Sequence, residues 1–156
     1  MALRLDPSSE VAYRARMAEL YLADAEGAYS RNDFRGTVAS SQLAAENAAK
    51  AVVAVYRVPS WSRDPSHELR EVLSQVPERL RPLLEELASI AETLAPEHGR
   101  ATYGEPTRGL TPWDIYGRSD AERALSYARR AVEIMRIALK ELGAPQPPAD
   151  PPCRTR

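Results

Sequence analysis

Apolar residues recur along this chain at helical spacing. Val11, Ala15, Ala18, Leu22, Ala25 and Tyr29 fall three and four apart, a single stripe that predicts a helix of about six turns ending near Arg31. Asp6 and Pro7 suit its start, the aspartate as cap and the proline where its missing N–H costs nothing. Asn32-Asp33 makes a short turn and Asp33 caps the next helix. So tight a link predicts an antiparallel hairpin with Phe34 wedged at its corner.

The second helix differs in kind. Over the stretch from Ser40 to Val58, and starting from Val38, the residues Ala45, Ala48, Ala49, Val52, Val53, Val55 and Tyr56 cover more than half of the helical circumference. That is wider than a surface helix needs, so this helix is expected at the centre of the fold. Seven alanines between Ala39 and Ala54 keep it slender, which lets neighbours approach closely from several sides. Its polar remainder is one narrow seam of Gln42, Glu46, Lys50 and Arg57.

The run PSWSRDPS ends that helix, and Ser66 or Asp64 is the expected cap of a short one carried by Leu69, Val72, Leu73 and Val76. Leu80, Leu83, Leu84, Leu87, Ile90, Ala91 and Leu94 carry another, with Pro82 either delaying its start or kinking it. From Pro96 to Arg118 there are 23 residues with four glycines and three prolines and little helical period. Ordered loops of more than about 12–15 residues are uncommon in compact domains and are often functional. Ser119 to Glu122 spells a capping box, and Ala121, Leu125, Ala128, Val132, Met135, Leu139 and Leu142 form a last stripe closed by Gly143. No strand candidate emerges. The pattern predicts an all-α fold, an antiparallel up-and-down bundle of four long helices plus one short one. Residues 1–143 form its single domain, and a proline-rich tail over 144–156 is expected to be disordered.

Composition narrows the function. A chain of 156 residues buries roughly 70% of the surface that its unfolded form exposes, so no staple is required. The only cysteine, Cys153, lies in the tail, which excludes a disulfide framework and suits a reducing cytoplasm. No apolar run reaches membrane-spanning length, and no signal peptide or membrane association is expected. A net charge of −1 argues against a general nucleic-acid coat.

The phrase AxxYLxxAxxxYxxxDFRxxVxxSQLAAExAxKAV from Ala18 to Val52, followed by His67-Glu68-Leu69 and by Tyr103-Gly104, resembles the HEPN family, helical domains often found beside small nucleotidyltransferases. The likeness covers about residues 10 to 142 and implies a helical bundle. It also implies, as partner, a nucleotide or a separate nucleotidyltransferase, and a homodimer is expected because the apolar stripes are too numerous for one small bundle to hide. Nuclease members of that family carry Arg-x4-6-His, an arginine and a histidine that cleave RNA without metal. Here His67 would need arginine at Ser60, Trp61 or Ser62, and His98 would need it at Ala91, Glu92 or Thr93. Arg63 leaves only three residues before His67, one short of the motif, and the late Arg-Tyr signature reads Thr102-Tyr103-Gly104, with Arg100 two residues away.

The expected function is therefore a non-catalytic module that binds a nucleotide or a partner and homodimerises. The alternative is a metal-independent ribonuclease or toxin component of a toxin–antitoxin pair, with His67, His98, Arg63 and Arg100 as its degenerate machinery. Candidate ligand-binding residues are Gln42, Glu46, Lys50, His67, Arg100 and Tyr103. Two readings of Glu46 and Lys50 compete: a solvated pair four residues apart, or a half-buried seam lining a cleft where an ammonium suits a phosphate. His67 is either an anion-side residue at a helix start or an ordinary surface histidine. Tyr103, Trp113 and Tyr116, interleaved with Arg100, Arg108 and Arg118, suit base stacking, but pinning of a long loop or burial in a dimer interface is the expected role. Two distant histidines without cysteine partners make no zinc site, and neither metal nor cofactor is expected.

Overall fold

The computed structural model describes residues 7–144, and they are helical apart from short turns, a loop over 55–65 and one isolated bridge between Glu105 and Leu110. The Asp6 cap and all but the first residue of the proline-rich tail lie outside the described residues. Seven helices follow in order: α1 (Pro7–Ser30), α2 (Phe34–Ala54), α3 (Ser66–Val72), α4 (Arg81–Leu94), α5 (Glu97–Tyr103), α6 (Pro112–Ile115) and α7 (Arg118–Glu141). Four are long, as the periodicity requires, but three rather than one are short.

Ion pairs fix the direction of each long helix. Arg129 meets Glu26 at 2.6 Å and Arg136 meets Glu19 at 2.5 Å, so numbers rise on α7 as they fall on α1. Arg130 with Glu86 and Arg79 with Glu141 give the same opposition between the α4 end of the chain and α7. With the three-residue link Arg31–Asp33 between α1 and α2, the four long helices run up, down, up and down. These pairs lie on the surface and mark register more than they stabilise.

The alanine-lined helix occupies the position that its pattern demands. α2 touches all six other helices, and 16 of its 21 residues are buried. It runs parallel to α7, the diagonal member of the bundle, and the small residues Ala44, Ala45, Ala48 and Ala51 of α2 and Ala124, Ala128, Ala131 and Ala138 of α7 lie in one core and allow close approach. Leu69, Leu84, Leu87, Ile134, Met135 and Leu139 fill the remaining volume.

The hairpin corner shows how the sequence specifies this start. Asn32 takes the left-handed conformation at φ 60°, which asparagine tolerates better than most residues. The Asp33 carboxylate accepts the Gly36 N–H at 2.9 Å, and a Cβ on Gly36 would lie 2.2 Å from that carboxylate. An Asp33→Ala variant should lose about 0.5–2 kcal/mol in urea unfolding, with an unchanged m-value.

Several boundaries differ from expectation. α2 stops at Ala54, not Val58, because Val55 and Tyr56 turn their N–H groups onto Val52 and Val53 in a tightened last turn ahead of Pro59. Pro82 delays α4 without kinking it: a 3₁₀ turn, Glu78–Leu80, precedes the helix, and the proline sits in its first turn, where no N–H is needed. At α3 it is Asp64 that accepts the Ser66 N–H, at 3.0 Å. The box read at Ser119–Glu122 is displaced: α7 starts at Arg118, Asp120 accepts the Gly117 N–H at 2.8 Å, and Glu122 instead accepts the Tyr29 hydroxyl at 2.7 Å.

The largest correction concerns the stretch from Pro96 to Arg118. It is no loop but α5, a 3₁₀ turn at Pro106–Arg108 closed by the Glu105–Leu110 bridge, and α6. Contacts with α2, not an amphipathic period, hold it: Arg35 from α2 donates to the Ala101 carbonyl at 2.8 Å and stacks 5.3 Å from the Trp113 ring.

Candidate functional site

The polar seam of α2 is present, but it is closed. Gln42, Glu46 and Lys50 are only 1–3% exposed, so they do not line the open cleft that one sequence reading expected, nor form the solvated pair of the other. The Glu46 carboxylate accepts from Gln42 Nε2 at 3.1 Å on one oxygen and from Lys50 Nζ at 3.3 Å on the other. Arg63, from the loop before α3, brings Nη1 to 4.0 Å of the latter oxygen. Buried charges persist only when paired and hydrogen-bonded, and this set meets that condition.

One consequence runs along the helix. An ionised carboxylate only accepts, so the Gln42 amide must turn its NH₂ to Glu46 and its oxygen outward. That oxygen lies 3.1 Å from His98 Nδ1, on α5. Donation from Nδ1–H to that oxygen completes the chain, and in a neutral ring Nε2 is then the acceptor. Lys50 on α2 and His98 on another helix are thus linked through two intervening side chains.

The remaining candidates lie elsewhere. The His67 side chain is 84% exposed and pairs with Glu71 at 2.9 Å, outside the seam. Tyr103, the last residue of α5, is 74% exposed. Arg100 belongs to a different cluster: it binds Glu97 at 2.8 Å and Glu105 at 2.9 Å and lies 5.7 Å from the Tyr116 ring. Of the six ligand-binding candidates the fold joins Gln42, Glu46 and Lys50. Of the four degenerate catalytic candidates it brings His98 and Arg63 to that same seam and leaves His67 and Arg100 outside it.

Of the three late aromatics, only Tyr116 packs against the core. Its hydroxyl donates to Glu97, and burial together with that carboxylate pushes its pKa well above the usual tyrosine range. Trp113 stays 71% exposed beneath Arg35, and Trp61, before α3, is 93% exposed. The Trp61 loop is nevertheless ordered, since Glu68 accepts both the N–H and the hydroxyl of Ser60 while Ser62 and Asp64 bond each other. Among the described residues no group of three histidine, cysteine or acidic side chains is placed to hold a metal, and no helix is long and apolar enough to cross a membrane.

A bundle of four antiparallel helices around a buried Gln-Glu-Lys seam defines a helical module in which the central helix carries the polar network. The HEPN domain family model matches residues 11–138, and the chain belongs to that family. TT1696 from Thermus thermophilus, known from its crystal structure, is similar in fold: TM-score 0.66 at 21% identity, over 83% of this chain and 98% of that one. No curated protein matches.

Proposed function

We propose that this HEPN domain is a non-catalytic binding module that homodimerises and associates with a protein partner, a small nucleotidyltransferase being the partner that the family resemblance implies. One observation carries the reading. Trp61, Tyr103 and Trp113 are 93%, 74% and 71% exposed while standing on ordered, hydrogen-bonded elements. Pre-organised tryptophan and tyrosine beside arginine is the composition of interface hot spots. A nucleotide held through Lys50 is the weaker form of the reading, because that ammonium is buried against Glu46.

Light scattering at micromolar concentration should return twice the monomer mass. Because Trp61 and Trp113 are exposed, replacing either by alanine should leave stability within about 0.5 kcal/mol. A hot-spot role costs at least about 2 kcal/mol of binding, roughly 30-fold in affinity. A monomer removes the homodimer. Association unchanged in both variants removes these aromatics from the interface.

A second reading rests on a separate observation, the convergence of Arg63 and His98 on one seam. An arginine and a neutral imidazole are the groups that 2′-hydroxyl attack on RNA requires. RNA incubated with the protein in EDTA should remain intact if the module is non-catalytic. Cleavage that disappears in His98→Ala would favour the ribonuclease.

A further inference from the structure

Beyond the α2 seam, a crevice of about 120 Å³ opens between the end of α4, α5, α6 and α7, with Val38 of α2 contributing to its lining. A space of that order holds several waters or the head of a small polar molecule. Most of the polar groups that line it have partners. Glu97 uses one oxygen on Arg100 and the other on the Tyr116 hydroxyl, and Arg100 spends its second nitrogen on Glu105. Two groups on α7 are left over. Among the described residues Arg123 meets no carboxylate and only the Tyr127 ring, 5.4 Å away. Asp120 uses Oδ2 on the Gly117 N–H, which leaves Oδ1 open. The two stand three residues apart, a spacing at which aspartate and arginine commonly pair, yet no bridge joins them.

We propose that the crevice takes the head of a free α-amino acid. Its carboxylate pairs with the Arg123 guanidinium, its ammonium with the open oxygen of Asp120, and its α-carbon rests on the apolar lining. The side chain leaves through the mouth. A zwitterion fits better than a simple ion of either sign, because the lining sets Arg100 and Arg123 beside Glu97 and Asp120, two charges of each sign. The site is independent of the partner-binding reading and stands or falls without it.

Ile115 in the lining and Trp113 share the four-residue helix α6, so occupancy is readable at that tryptophan. Trp113 fluorescence in a Trp61→Phe background, together with calorimetry, should report saturable binding of glycine and larger amino acids in the millimolar range or below. Acetate, methylamine and inorganic phosphate should bind at least tenfold more weakly. Arg123→Gln should lower amino-acid affinity at least tenfold, and Asp120→Asn, which still caps α7, should lower it while sparing the residual affinity for acetate. Silence with every amino acid up to tens of millimolar overturns the proposal. So does phosphate or acetate binding as well as glycine, which would make this a plain anion site, or affinity unchanged in folded Arg123→Gln. The comparison of glycine with acetate uses the chain with Arg123 and Asp120 intact, so it decides the matter even if a variant fails to fold.

Discussion

Lys50→Met should cost about 3–5 kcal/mol of unfolding free energy, the loss typical of removing one partner from a buried ion pair. The lysine and Glu46 side chains are only 3% and 4% exposed, so the truncation leaves Glu46 buried with Gln42 and, at 4.0 Å, Arg63 as its remaining partners. For a domain whose whole stability is about 5–15 kcal/mol, that is roughly a fifth of the total at the least. Glu46→Gln with Lys50→Met removes both charges at similar volume and should recover most of the loss, since replacing a buried pair outright is often neutral. Urea midpoints with an unchanged m-value measure both. A single-variant loss below about 1 kcal/mol would mean that the pair behaves as an exposed one. The helical spacing alone, read as an exposed pair worth a few tenths of a kcal/mol, predicts a near-silent lysine substitution; burial raises the expected cost roughly tenfold.

Gly104→Ala should be the second severe change, and its severity is local. Gly104 has φ 71° and ψ −146°, a region that is essentially glycine's alone and costs other residues about 1–3 kcal/mol. An added Cβ would also lie 2.2 Å from the Leu110 carbonyl oxygen and 2.9 Å from the Pro112 nitrogen, backbone atoms that cannot swing aside. The Glu105–Leu110 bridge should open and α6 should shift, so loss of stability should appear together with faster amide exchange over residues 105–115. Gly99→Ala is the control. Nothing lies within 4 Å of its Cβ position, and it sits within α5, so the same substitution should stabilise by about 0.5–1 kcal/mol. If both variants behaved alike, backbone conformation would not be the reason for glycine at Gly104.

Much of the bundle was legible because helices that bury a face advertise it every third or fourth residue. The number of long helices, the α1–α2 hairpin and the central place of the alanine-rich helix all follow from such spacing, and each is observed. The region from Pro96 to Arg118 was not legible, for a physical reason. α5 buries Ala101 and little else, its His98 bonds Gln42, and Arg35 grips its backbone. Helix formation there rests on contacts with residues more than 50 positions away in the chain, and a local period cannot record them.

The site divides along the same line. That Gln42, Glu46 and Lys50 share one stripe of α2 follows from their spacing of four, which the geometry of any α-helix enforces. Whether the stripe meets water is set by what α5 and the loop before α3 place over it, as is its reach to His98 and Arg63. His67, Arg100 and Tyr103 resemble family positions in the sequence but face solvent or other partners once the chain is folded. The Asp120 and Arg123 pair appears on paper as one more surface bridge, and only the crevice beside it shows that it is unmade. By itself the sequence determined the four long helices and which of their residues share a face, because those depend on near neighbours. Tertiary structure alone decided which charges are buried and which histidine joins them, because each depends on the distance between segments far apart in the chain.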